Sequence, residues 1–136
     1  MNQPIRWDPS CSVNVAELDQ QHQQLFGAVA ELEQALRTGR ADTVINKLLE
    51  EVIEHTISHF ATEERLMEEC GYPGLDAHRR DHQELSQKLT MFNLSNLAGG
   101  PGVPAALLVF LQAWLQDHIL KTDKEYSGHL NHRGVH

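Results

Sequence analysis

With 136 residues and 40 % hydrophobic side chains, the chain is long enough for one domain with a buried core and too apolar to stay disordered. A net charge of −8 with no basic stripe argues against nucleic acid or an anionic membrane surface as partner. The longest apolar run, Ala105 to Leu111, is far short of a membrane span, and the N-terminal stretch has no apolar core of signal-peptide length. The expectation is a cytoplasmic protein without membrane insertion, with Cys11 and Cys70 as free thiols.

Residues 1–18 read as an N-terminal arm carrying Trp7. The first helix is predicted over about 19–38, capped by Asp19 and stopped at Gly39, with Leu18, His22, Leu25, Val29, Leu32 and Leu36 along one stripe. The second is predicted over about 42–69, with Leu48, Val52, His55, His59, Glu63 and Leu66 inward and "CGYPG" as its stop. The third, over about 75–97, turns Leu75, His78, His82, Leu85, Leu89 and Phe92 inward. "AGGPGVP" then breaks the chain before a fourth helix over about 105–121, whose stripe holds Leu107, Leu111, Trp114, Leu115 and His118. Residues 124–136 read as a polar C-terminal tail in which His129, His132 and His136 are solvated. No segment carries a strand signal, so the predicted fold is all-α, an antiparallel up-down-up-down four-helix bundle in a single domain spanning 1–136.

Five of the nine histidines (His22, His59, His78, His82 and His118) fall on inward stripes together with Glu63. One inward histidine is ordinarily a hydrogen-bonded core residue. Five would each need a separate buried partner, and Glu63 would be a costly buried charge. His59 and Glu63 stand one helical turn apart, as do His78 and His82, so each pair can address one ion. Every predicted helix contributes at least one such residue, which points to a shared metal centre. His118 and Asp123 are the awkward pair: five residues place them about 140° apart on a regular α-helix. Asp123 is then either a solvated acid or a residue that a break in the helix swings inward.

Five imidazoles and two carboxylates exceed what one tetrahedral zinc can use, and calcium or magnesium would prefer oxygen. With both carboxylates and a hydroxide bridging, the same donors fill all but one of the positions around two octahedral ions. Imidazole with carboxylate suits iron, and geometry alone also admits manganese.

The segments "DQQH" (19–22), "HFATEE" (59–64), "CGYPGLDAHRRDH" (70–82) and "WLQDHILKTD" (114–123) resemble the hemerythrin family, in particular its single-domain bacterial members. The resemblance covers nearly the whole chain. It implies two non-haem iron ions with a bridging oxo or hydroxo group, one iron held by His78, His82 and His118 and the other by His22 and His59. Glu63 and Asp123 would bridge them, the last helix distorting or ending just after His118 to bring Asp123 back. It further implies that Leu25, Phe26, Phe60, Trp114, Leu115 and Ile119 wall a dioxygen pocket at the second iron, with no catalytic residue. The expected function is reversible dioxygen binding by a monomer for carriage, storage or delivery to an oxygen-consuming enzyme. The alternatives are a dioxygen or nitric oxide sensor and a di-iron oxidase or ferroxidase. The last is disfavoured because no Glu here has a His three residues later.

Overall fold

The computed structural model describes residues 7–99 and 102–136. Four helices form the bundle: α1 (Ala16–Arg37), α2 (Ala41–Glu69), α3 (Leu75–Leu97) and α4 (Val103–Trp114). α1 packs on α2 and α4, and α3 packs on the same two, closing the four-helix ring. A π-helical stretch, Leu115–Thr122, prolongs α4 and leads into α5 (Lys124–His132). No strand and no single helix long and apolar enough to cross a membrane occurs among the described residues.

α1 starts three residues before the predicted boundary, and Asp19 is not its cap. From inside the first turn the Asp19 carboxylate accepts hydrogen bonds from the Val13 N–H, at 2.9 Å, and from the Ser12 hydroxyl. It thereby folds the arm back while placing negative charge where the helix dipole favours it. α2 stops in a Schellman motif: Gly71 takes φ +64°, the Gly71 N–H donates to Glu68 O and the Tyr72 N–H to Met67 O.

The reading of 124–136 as a polar tail is corrected. Tyr126 and Leu130, one turn apart on α5, are fully buried against Val13, Val15, Leu18, Leu66 and Met67. Each such side chain contributes roughly 1.5–3 kcal/mol through burial, enough to dock a short helix whose other positions are polar. The Ser127 hydroxyl donates to Val13 O at 2.6 Å and the Asn131 amide to Asn14 O at 2.9 Å, so arm and α5 hold each other. Of the tail histidines, His129 is half-buried with Nε2 2.7 Å from Cys70 O, while His132 and His136 are exposed.

The core has two apolar parts. The larger joins Leu25, Val29, Leu49, Val52, Leu107 and Leu111 with their neighbours; the smaller is the cluster around Tyr126 and Leu130. In chain order a polar residue separates the two parts on each contributing element: His22 between Leu18 and Leu25, Glu63 between Phe60 and Leu66, and Asp123 between Ile119 and Tyr126. Cys11 and Cys70 are both buried free thiols, one in each part.

Candidate metal centre

The interruption between the apolar clusters holds seven buried polar side chains: His22, His59, Glu63, His78, His82, His118 and Asp123. Regular helix geometry delivers most of them, with His59 above Glu63 on α2 and His78 above His82 on α3. His118 and Asp123 come together differently. The helix does not end after His118; it widens, and the Asp123 N–H donates to His118 O at 2.8 Å, five residues back. In an i→i+5 turn the fifth residue returns near the starting face. Asp123 Oδ1 therefore stands 3.1 Å from His118 Nε2 rather than on the far side of the helix.

All five histidines turn Nε2 toward the two carboxylates. Glu63 Oε2 lies 3.0 Å from His78 and 3.2 Å from His82, while its Oε1 contacts His59 and lies 3.4 Å from His22. Asp123 spans the same gap, with Oδ1 3.0 Å from His78 and Oδ2 3.1 Å from His22. Grouped by mutual reach, the donors form two sets. One is Glu63, His78, His82, His118 and Asp123; the other is His22, His59, Glu63 and Asp123. Both carboxylates belong to both sets.

Burial opposes protonation of His22 and His78, yet the carboxylates of Asp123 and Glu63 close to their Nε2 atoms outweigh it and raise them to about 9 and about 10. Burial likewise opposes ionisation of the carboxylates, but the histidines overcome it and hold Glu63 and Asp123 below the usual carboxylate range. Pairing does not satisfy the cluster. His82 Nε2, His118 Nε2 and both Asp123 oxygens are buried without an aligned hydrogen bond, although each has a polar atom nearby. Buried polar atoms are normally partnered. Imidazole nitrogens and carboxylate oxygens that converge on one buried point, several of them without a hydrogen bond, fit metal ions as their partners, and mixed imidazole and carboxylate donors fit iron.

Sequence reasoning missed four residues around this cluster. Gln21 Oε1 lies 2.7 Å from His59 Nδ1, and Glu64 Oε2 lies 3.0 Å from His82 Nδ1. Arg79 in turn donates to Glu64 Oε1 at 3.1 Å. Tyr126 buries its hydroxyl beside the two carboxylates without an aligned partner; burial and the charges of Glu63 and Asp123 push its pKa well above 10, so it stays neutral. Its ring also meets His78 edge-on at 5.5 Å. Tyr126 and Leu130 carried a legible signal, an apolar i,i+4 pair continuing from Asp123. Gln21 and Glu64 carried none, because their partners lie on other helices.

The six predicted pocket residues are all buried and share the larger apolar cluster. Phe60 stacks flat on His82, with centroids 3.7 Å apart and planes at 5°, and Trp114 lies 6.0 Å from His118. These two rings therefore cover the three-histidine side. A cleft of about 310 Å³ between α3 and α4, lined by Leu85, Phe110, Trp114 and the acidic Asp81 and Glu84, reaches His118 from the surface. His55, one turn from His59, is half-buried.

Comparison with known proteins agrees with this geometry. The family model "Hemerythrin HHE cation binding domain" matches residues 13–130. A bacteriohemerythrin of Stenotrophomonas maltophilia is 32 % identical over 129 residues, covering 92 % of this chain and 83 % of that protein. A myohemerythrin of Riftia pachyptila is 32 % identical over 127 residues, covering 93 % and 94 %. A crystal structure of wild-type hemerythrin superimposes with a TM-score of 0.86 at 30 % identity, covering 94 % of this chain and 98 % of that one. From Val13 to Leu130, a span that takes in the end of the arm and most of α5, the chain belongs to the hemerythrin family.

Proposed function

We propose that the centre holds two non-haem iron ions sharing a bridging oxo or hydroxo group, and that the protein binds dioxygen reversibly. One observation carries this reading: the buried donors divide into a set of five and a set of four that share both carboxylates. The ion at His78, His82 and His118 is the more fully surrounded. His22 and His59 with the same two carboxylates would hold the other ion with one protein donor fewer, which would leave a position for an exogenous ligand.

The iron pair supplies the two electrons and the vacant position that reversible dioxygen binding requires. The chain's own residues hold and shield it. Glu63 and Asp123, which reach both donor sets, would be shared by the two ions, and hydrogen bonds from the Nδ1 side of His59 and His82 orient Nε2 inward. Leu25, Phe26, Phe60, Trp114, Leu115 and Ile119 are all buried and would limit water at the cluster, which the cleft beside Trp114 approaches only at His118. Tyr126, the further titratable group beside the two carboxylates, is held neutral. This favours binding over catalysis, so the protein serves carriage, storage or delivery of dioxygen as a cytoplasmic monomer, with an oxygen-consuming enzyme as recipient. Nitric oxide would bind the reduced centre as well.

The test is optical. Iron-loaded reduced protein should be colourless, colour on dioxygen and bleach again when dioxygen is removed, with iron content unchanged. Irreversible colouring, or rapid turnover of an added organic substrate, would move the assignment to an oxidase.

A further inference from the structure

The two halves of the centre are backed by groups of different charge. Behind His59, Nδ1–H donates to the neutral Gln21 Oε1 at 2.7 Å, and the Gln21 amide donates on to Thr62 Oγ1 at 3.2 Å. Behind His82, Nδ1–H donates to the carboxylate Glu64 Oε2 at 3.0 Å. Glu64 is itself gripped by Arg79, whose Nη2 reaches Glu68 at 3.3 Å. His59 belongs to the four-donor set and His82 to the five-donor set, so the charged backing falls on one ion alone.

A carboxylate that accepts an imidazole N–H raises electron density on the ring and makes the opposite nitrogen a stronger donor. The gain is larger toward a more highly charged ion. Glu64 is 27 % exposed, so water screens it in part, and Arg79 draws off some of its charge. An amide in the same role orients the ring but adds little donor strength.

We propose that Glu64 is a positioning residue that makes the ion at His78, His82 and His118 the tighter-bound and more readily oxidised of the two. Neutral Gln21 leaves the ion at His22 and His59 more weakly held and easier to keep ferrous. The inference rests on the two-iron reading above, and the experiment separates the two. Wild type must first take up two ferrous ions per chain; a single ion overturns the site assignment and this proposal together. With two bound, spectroelectrochemical titration, the electrode taking one electron per iron, and competition with a chelator are compared across variants. Glu64→Gln keeps an acceptor in place and removes only charge. It should weaken the tighter ion by ~10–100-fold and lower the ferric-to-ferrous ratio at fixed potential by about tenfold. Gln21→Glu should strengthen the weaker ion and raise the ratio, and Arg79→Met, which frees the charge on Glu64, should also raise it. A purely structural role would change stability without moving the ratio. Should Glu64→Gln fail to hold iron, the other two variants decide. Unchanged ratios with two irons bound overturn the proposal and leave the site assignment intact.

Discussion

His59 and Glu63 stand four residues apart on an unbroken α-helix, whereas His118 and Asp123 stand five apart across a π-helical turn. Both pairs reach the same buried cluster. The first pair is held by the hydrogen bonds of α2 itself. The second depends on what lies beyond it, because a widened turn keeps its register only if the chain on its far side is anchored. That anchor is α5, through Tyr126 and Leu130 in the smaller apolar cluster. A carboxylate can thus be delivered by helix periodicity or by a local irregularity supported elsewhere, and the second device links metal binding to the packing of the helix that follows.

The largest expected effect comes from removing either carboxylate. Glu63 and Asp123 each belong to both donor sets, so Glu63→Ala and Asp123→Ala should each drop bound iron below two per chain, read by metal analysis after gel filtration. His82→Ala, confined to one set, leaves that set four donors, as many as the other set has, and should weaken one ion only. Full occupancy in Asp123→Ala would show that the widened turn delivers nothing the metal needs.

The dependence on α5 is broken next. Tyr126→Ala should cost ~3–5 kcal/mol in urea unfolding by leaving a cavity, and it should lower iron occupancy because Asp123 loses its anchor. Leu32→Ala, at a residue of the larger cluster that takes no part in the centre, should cost ~2–5 kcal/mol with occupancy unchanged. Equal iron loss in both variants would reduce the comparison to general stability.

Leu115, fully buried where the π-helical stretch begins, sharpens the shielding role. Leu115→Ala should cost ~2–5 kcal/mol and speed the decay of the oxygenated colour, while iron stays at two per chain. A decay rate equal to wild type would remove Leu115 from the water barrier.

A smaller effect distinguishes metal-free from metal-loaded protein by pH. In the metal-free protein His22 and His78 are raised from 6.5 to about 9 and about 10. Their contribution is complete below pH 6.5 and is lost as pH climbs through 9 to 10, on the order of a few kcal/mol. Glu63 and Asp123, held low, contribute above their ordinary range and lose that contribution in acid. Bound metal needs neutral histidines, so the stability it adds should grow over the window from 6.5 to 10. Melting temperatures of the two forms should diverge there, and parallel curves would contradict the pairing.

Much of this architecture was readable from periodicity. The stripes of α1 to α3 carried their histidines and Glu63 inward because a regular helix repeats every 3.6 residues; His22, His59, Glu63, His78 and His82 are buried, whereas His55, Leu75, Leu85 and Phe92 on the same stripes are half-buried. Asp123 was different, since a five-residue spacing has no meaning on an α-helix and acquires one only when the turn widens. α5 was hidden by composition: Lys124, Glu125, Asn131 and His132 outnumber its two buried apolar side chains, Tyr126 and Leu130. Gln21 and Glu64 stayed out of reach for a third reason. Gln21 answers His59 on α2, and Glu64 answers His82 on α3, so each pairing exists only once two helices pack.

The central claim is that one buried cluster holds two ions through shared carboxylates. Anaerobic titration of metal-free protein with ferrous iron, followed by the protons released, tests it most directly. The expected result is a break at two equivalents per chain with proton release in both steps, because His22 and His78 give up protons on opposite sides of the cluster. A single break at one equivalent would contradict it.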